Sequence, residues 1–227
     1  MTDAPLPAAV LWDMDGTLVD TEPLWFAAEA ALARHHGVAW DASLSRQLVG
    51  MPLERYAQIL VGRGVDLVVD DVVDRLVDSV AQGLVREVTW QPGVLGLLAE
   101  LAESRVPCAL VTMSYRRLAD AVVAQAPPGT FRVVVTGDDV QHGKPHPEAY
   151  LRAAAELGVD PTRCLAIEDS PPGIGAALAS GARTLAVQNV VPVERREGLS
   201  RVPTLAGVGL TDLVQILAGD DLDLLVD

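Results

Sequence analysis

The sequence contains very little lysine, few aromatic residues and only two cysteines. Lys144 is the only lysine among the 17 basic residues of the 227-residue chain. Cys108 and Cys164 lie inside apolar segments, and in a reducing compartment such cysteines are expected to be core residues, not a disulfide or a metal site. Aromatic residues make up 4% of the chain, and its apolar content comes mainly from Val, Leu and Ala. This composition favours alternating strands and helices over a β-sandwich.

Long apolar runs and an N-terminal targeting signal are also missing from the sequence. No run approaches the roughly 20 apolar residues that a bilayer span requires. The first residues, MTDAPLPAAV, lack the positively charged start of a secretory signal. We therefore expect a cytoplasmic protein that has no membrane partner.

The charge balance is strongly acidic, with 31 acidic residues and a formal net charge of −14. Such a field repels nucleic acid and anionic lipid, so no nucleic-acid partner is expected. It also repels a phosphorylated substrate, so an anion site would have to be built locally from cations and backbone amides. Because almost every basic residue is an arginine, the lysine at position 144 is unusual for this chain.

Short apolar segments alternate with helical segments over most of the chain. Segments 8–12, 107–111, 131–135, 164–167 and 184–187 have the length and composition of buried strands. Amphipathic helical patterns separate most of them. This alternation predicts an α/β fold, a Rossmann-like three-layer core around a parallel sheet.

One helical block interrupts the alternation just after the first predicted strand. Apolar residues from Val69 to Leu84 recur at three- and four-residue steps, which is typical of an amphipathic helix, and no strand pattern appears in residues 41–87. We therefore expect a catalytic core of residues 1–19 and 88–227, with an all-helical cap domain of residues 20–87 inserted into it. Hinges at the two joints would let the cap close during the reaction.

Polar residues stand at or beyond the ends of the predicted strands. Ligands of open parallel sheets bind outside the carboxyl ends of the strands. Carboxylates around a hard cation form a magnesium site, and a carboxylate can attack phosphorus to form an aspartyl-phosphate. A hydroxyl and an ammonium can hold the phosphate oxygens, so the set suits phosphoryl transfer. Its members are Asp13, Asp15, Thr112, Lys144, Glu168 and Asp169.

The first of these segments carries two further features. Asp15 lies two residues after Asp13 and can serve as a general acid and base. Backbone amides of the tight turn at Gly16 can add donors for phosphate. An ordinary Asp-Gly turn would explain this pair equally well, so the interpretation depends on the other strand ends.

Four segments resemble, in order and spacing, the four motifs of the haloacid dehalogenase superfamily. They are residues 13–20 (DMDGTLVD), 111–114 (VTMS), 143–148 (GKPHPE) and 167–170 (IEDS). The similarity covers nearly the whole chain. The helical insert resembles the cap of the subgroup that contains β-phosphoglucomutase and the small sugar phosphatases.

This resemblance implies a role for each motif residue. Asp13 would be the nucleophile and a metal ligand, and Asp15 would be the acid–base and a ligand through its carbonyl. The implied cofactor is Mg2+, a default for hard oxygen ligands. Asp169 would complete its ligands with help from Glu168, and the expected phosphate-binding residues are Thr112, Ser114, Lys144 and Gly16.

We therefore expect a magnesium-dependent phosphatase, acting as a monomer on a small phosphorylated metabolite. The resemblance favours a sugar or polyol phosphate, hydrolysed through an aspartyl-phosphate. The main alternative is a β-phosphoglucomutase-like phosphosugar mutase. Such mutases carry a histidine about where this chain has Trp25. They also carry a basic residue later in the cap, where residues 65–85 of this chain offer only Arg75 and no lysine. Both departures favour hydrolysis.

Other functions explain fewer of these residues. A dehalogenase would leave Asp15 and the Glu168-Asp169 pair without a role. A phosphonoacetaldehyde hydrolase needs a Schiff-base lysine in the cap, and residues 20–87 contain none. A phospho-receiver signalling domain is about half as long and has no helical insert.

Overall fold

The structure is a computed structural model that describes residues 5–48, 51 and 53–225. Its contacts divide the chain into two compact units. Residues 1–20 and 89–227 form an α/β unit, and residues 21–88 form a helical unit.

The α/β unit is built on a parallel sheet, as the alternation of segments predicts. Its strand order is β3-β2-β1-β4-β5-β6, and each neighbouring pair is parallel. The winding starts at β1, moves outward through β2 to β3, and resumes at β4 on the other side of β1. The crevice at this switch point is where such sheets bind ligands. The strands are β1 (Ala9–Trp12), β2 (Cys108–Val111), β3 (Phe131–Val135), β4 (Cys164–Glu168), β5 (Arg183–Val187) and β6 (Leu199–Val202).

In the described part of the chain, five α-helices of the α/β unit lie between or after most of its strands. Every residue of β1, β2 and β4 is buried, which explains why these strands appear in the sequence as largely apolar runs. Small residues of two helices, among them Ala153 and Ala176, pack in one core cluster with these strands. The helices are α5 (Val94–Glu103), α6 (Arg116–Gln125), α7 (Glu148–Leu157), α8 (Pro171–Ala179) and α9 (Leu210–Ala218).

The helical unit consists of helices α1 (Glu22–His35), α2 (Ala42–Leu48), α3 (Leu53–Gly62) and α4 (Val69–Arg86). As its spacing predicts, α4 is amphipathic, and its buried stripe includes Leu76 and Val80. It packs against α1 and α3 within this unit. A role for these helices as a cap stays a prediction.

Some local features differ from the sequence-based expectations. Neither β6 nor α9 is predicted. The strand β6 carries the buried polar residues Ser200 and Arg201 where a strand signal requires apolar ones. Arg201 of β6 is buried because its guanidinium pairs with both carboxylate oxygens of Asp223, at 3.2 and 2.9 Å. The helix α6 begins at Arg116, with Tyr115 at the N-cap position. Among the described residues, no helix has both the length and the apolar character needed to cross a bilayer.

Candidate active site

Three central strands deliver residues of the predicted site to one edge of the sheet. Asp13 directly follows β1, Thr112 directly follows β2, and Asp169 directly follows β4. The parallel register of these strands places their carboxyl ends side by side. Asp13 and Thr112 are both buried. Polar residues that were grouped from the sequence thus lie together at this edge of the sheet.

Lys144 is bound firmly at this edge. Its Nζ donates to Asp13 Oδ1 at 2.6 Å, to Glu168 Oε1 at 2.6 Å and to the carbonyl of Val111 at 3.0 Å. The ammonium group has three donors, so all of them are engaged. Its side chain is only 5% exposed. The ammonium therefore bridges the two carboxylates instead of being solvated.

Glu168 is completely buried and surrounded by donors. Its Oε1 accepts from Lys144 and from the hydroxyl of Tyr150 at 3.1 Å. Its Oε2 accepts from the backbone N–H groups of Asp169 and Ser170 and from Ser170 Oγ, each at 3.0 Å. This carboxylate is therefore fixed in place and in turn orients Lys144.

Two hydroxyl groups hold the carboxylate of Asp15. Ser114 Oγ donates to Asp15 Oδ2 at 2.7 Å, and Thr112 Oγ1 approaches the same oxygen at 3.3 Å. Thr112 Oγ1 also accepts from the N–H of Ser114 at 3.0 Å. The first two motifs thus meet through Asp15.

Asp169 lies against the turn that follows β1. Its Oδ1 accepts from Thr17 Oγ1 at 3.4 Å, and its Oδ2 accepts from Asn189 Nδ2 at 3.2 Å. The turn residue Gly16 has φ of +86°, and a Cβ there would lie 2.1 Å from Asp169 Oδ2. Only glycine therefore allows this approach. The Gly16 N–H, expected to bind phosphate, donates to the carbonyl of Val19 at 2.9 Å.

The site carries more negative than positive charge. Burial, together with the nearby negative charge of Glu168, raises the pKa of Asp13 well above its usual range. The same two causes raise the pKa of Asp169 to about 7. Burial alone would lower the pKa of Lys144, but the two carboxylates that it bridges raise it well above its usual value. A bound divalent cation would relieve the repulsion among the carboxylates.

The donor set fits a hard divalent cation. One oxygen from each of Asp13, Glu168 and Asp169 lies within 4.8 Å of the others. An all-oxygen set of this kind is what Mg2+ prefers. Each oxygen of Glu168 already accepts at least two hydrogen bonds, at 2.6–3.1 Å, whereas the hydrogen bonds to the two oxygens of Asp169 are longer, at 3.4 and 3.2 Å. Asp13 and Asp169 are therefore the better direct ligands.

The structure brings all eight predicted site residues to this edge and adds residues that the sequence reasoning missed. Asn189 lies two residues beyond β5, so extending the strand-end rule to the fifth strand would have found it. Tyr150 lies in α7, and no sequence signal marks its contact with Glu168. Thr17 and Ser170 are neighbours of predicted residues, and their contacts depend on the folded turns.

Comparisons with known proteins agree with this geometry. The family model of haloacid dehalogenase-like hydrolases matches residues 7–181. The validoxylamine A 7'-phosphate phosphatase of Streptomyces hygroscopicus subsp. limoneus is 34% identical over 174 residues, 75% of this chain and 81% of that protein. Hexitol phosphatase B of Escherichia coli K12 is 32% identical over 227 residues, 93% of this chain and 95% of that protein. The crystal structure of CbbY from Rhodobacter sphaeroides in complex with phosphate matches with a TM-score of 0.79 and 28% identity, and covers 90% of this chain and 97% of that chain.

Proposed function

We propose, because this chain belongs to the haloacid dehalogenase-like hydrolases, that it is a magnesium-dependent phosphatase of small phosphorylated carbohydrates that forms an aspartyl-phosphate on Asp13. Its enzyme class is that of the phosphoric monoester hydrolases. The observation that carries the proposal is the 2.6 Å contact between Lys144 Nζ and Asp13 Oδ1, at the edge that also holds Asp15 and Asp169. This contact supports the proposal because it brings the proposed nucleophile and the proposed phosphate-binding ammonium to the edge where the proposed acid–base Asp15 also lies.

In the first step the Asp13 carboxylate attacks phosphorus, and the bond between phosphorus and the ester oxygen of the substrate breaks. Asp15 gives its proton to the leaving oxygen, so the product leaves as an alcohol. In the second step Asp15 takes a proton from water, which attacks the phosphorus of the aspartyl-phosphate. Inorganic phosphate leaves and the Asp13 carboxylate is restored.

The two hydroxyl groups that contact Asp15 have different roles in this proposal. Ser114 Oγ makes the shorter bond to Asp15 Oδ2 and keeps that carboxyl oriented. Thr112 Oγ1 makes only a 3.3 Å contact with Asp15, so it is the hydroxyl that can turn to a phosphate oxygen. Lys144 supplies a positive charge directly at the site, in a chain whose formal net charge is −14.

Mg2+, when bound, would offset the repulsion between the Asp13 carboxylate and the phosphate dianion. The carboxylates of Asp13 and Asp169 and the carbonyl of Asp15 are the proposed ligands. Glu168 acts as the residue that positions Lys144, because its oxygens are already engaged by hydrogen-bond donors.

The proposed substrate class comes from the relatives, one named for a hexitol phosphate and one for validoxylamine A 7'-phosphate. A phosphosugar mutase would use the same core groups. Trp25 in α1 still favours hydrolysis, because β-phosphoglucomutase-like sequences carry a histidine at about this position.

The test is phosphate release from hexose 6-phosphates, hexitol phosphates, glycerol phosphate, nucleotides and β-glucose 1-phosphate. Each substrate is assayed with Mg2+, with EDTA and with the Asp13→Asn and Asp15→Asn variants. We expect Mg2+-dependent release from a carbohydrate phosphate and a loss of about 10³-fold or more in either variant. Equal release with EDTA or with Asp13→Asn would refute the proposal. Conversion of β-glucose 1-phosphate to glucose 6-phosphate without net release would identify a mutase.

A further inference from the structure

Two histidines and a glutamate meet on the loop that carries Lys144. His142 and His146 flank the lysine in sequence, and Glu148 is the first residue of α7. His142 Nδ1 lies 2.9 Å and His146 Nδ1 lies 3.9 Å from the same oxygen, Glu148 Oε2. The centroids of the two imidazole rings are 4.8 Å apart. None of these three side chains has a role in the proposed hydrolysis.

The separations within this group suit a small metal ion. Zinc binds nitrogen and oxygen ligands at about 2.0–2.2 Å, so ligand atoms of a tetrahedral site lie about 3.3–3.5 Å apart. The separation of 2.9 Å, at which His142 and Glu148 form a hydrogen bond, and the separation of 3.9 Å lie on either side of this value. The two imidazole side chains are 63% and 53% exposed, so they can rotate into position. The fourth position would face solvent and could take a water molecule.

The backbone of the loop already holds the three candidate ligands together. Glu148 Oε1 accepts from the N–H of Gln141 at 2.8 Å, and Glu148 Oε2 accepts from the N–H of His142 at 2.9 Å. These bonds and the His142 ring lower the pKa of Glu148, which keeps its carboxylate charged. Pro145 and Pro147 restrict the backbone on both sides of His146. Metal binding would therefore require little ordering of the chain.

The other two histidines of the chain make an internal comparison. His35 and His36 are also close, with ring centroids 5.1 Å apart. Within the described residues, however, they belong to no cluster of three candidate ligands. The cluster around Glu148 also differs from the all-oxygen site at the sheet edge, because two imidazoles and one carboxylate favour zinc over magnesium.

We propose that His142, His146 and Glu148 bind a zinc ion at a site separate from the proposed magnesium site. Because Lys144 lies between two of the ligands, the ion would tie together the two ends of the loop that presents the lysine. The inference does not depend on the proposed phosphatase activity, since binding is measured without substrate.

The test is calorimetric titration of the full chain with Zn2+ in excess Mg2+, repeated with Co2+ while its visible absorption is recorded. We expect one zinc per chain and the intense cobalt bands of a four-coordinate site. His142→Gln and His146→Gln should each weaken zinc binding at least tenfold. The matched control His35→Gln, which removes another exposed histidine, should bind like the wild type.

The proposal would be overturned by no zinc binding in excess Mg2+, by wild-type zinc binding in the His146→Gln variant, or by the weak cobalt bands of a six-coordinate site. Zinc binding that is lost in Asp13→Asn but kept in both loop variants would place the ion at the sheet edge and also refute the proposal. Melting temperatures measured without zinc verify that the variants are folded. A protein that binds zinc as expected but releases no phosphate would refute only the proposed function.

Discussion

Gly173 in α8 lies directly against the carboxylate that orients the active-site lysine. A Cβ added at Gly173 would lie 1.6 Å from Glu168 Oε1, 2.0 Å from Cδ and 2.3 Å from Oε2. Its φ is not in the left-handed region, so alanine causes no backbone strain and the conflict is purely steric. Since non-bonded atoms need about 3.5 Å, the carboxylate must withdraw by about 1.5–2 Å.

The Gly173→Ala variant should therefore lose both stability and activity. A displaced Glu168 can no longer accept from Lys144 and Tyr150 at 2.6 and 3.1 Å. Overpacking costs about 1–3 kcal/mol, and disrupting a buried ion pair costs about 3–5 kcal/mol. The two effects overlap, so we expect a loss of about 3–5 kcal/mol in the free energy of unfolding. Because Lys144 loses its orientation, kcat should fall about 10²–10³-fold.

Gly175→Ala in the same helix is the matched control. The nearest atom to a Cβ at Gly175 is Pro145 Cβ at 3.5 Å, an ordinary contact. Alanine should leave kcat unchanged and stabilise the helix by up to about 1 kcal/mol. Urea denaturation and Mg2+-dependent phosphate release measure the two effects. A Gly173→Ala protein with wild-type stability and kcat would refute the reasoning that Glu168 is held against this glycine.

Three further predictions concern other contacts. Asn189→Ala removes a hydrogen-bond donor to Asp169. It should raise the Mg2+ concentration for half-maximal activity about tenfold, with little change in kcat at saturating Mg2+. An unchanged Mg2+ requirement would show that this hydrogen bond does not position Asp169 for Mg2+ binding. Burial raises the pKa of Glu29 above its ordinary 4.5, so the wild type should lose stability relative to Glu29→Gln as pH rises above 4.5. Urea denaturation of both proteins at pH 4 and pH 8 tests this. An equal difference in their free energies of unfolding at the two pH values would contradict it. Asp223→Asn removes the negative charge that the buried Arg201 guanidinium contacts through two hydrogen bonds, and should cost about 3 kcal/mol in the free energy of unfolding measured by urea denaturation. A cost below about 1 kcal/mol would show that this ion pair contributes little.

The sequence by itself determined the fold class and the edge of the sheet where the candidate site lies. The strands β1, β2 and β4 are buried throughout, so each appears as a short, largely apolar run that ends at a polar residue. Parallel strands present their carboxyl ends at one edge, so Asp13, Thr112 and Asp169 could be grouped before any contact was known. The spacing of apolar residues likewise predicted the long helix α4.

Only the tertiary structure decided which side chains form hydrogen bonds and ion pairs with one another. Tyr150 and Glu168 are 18 residues apart, and Asn189 and Asp169 are 20 residues apart, so no local pattern reports either hydrogen bond. The buried Arg201 hid β6 from the sequence analysis, because a buried charge is tolerated only when a partner such as Asp223 is brought to it. Hydrophobic periodicity records which side of an element is buried. Hydrogen-bond and ion-pair partners are set by packing between elements, which periodicity does not record.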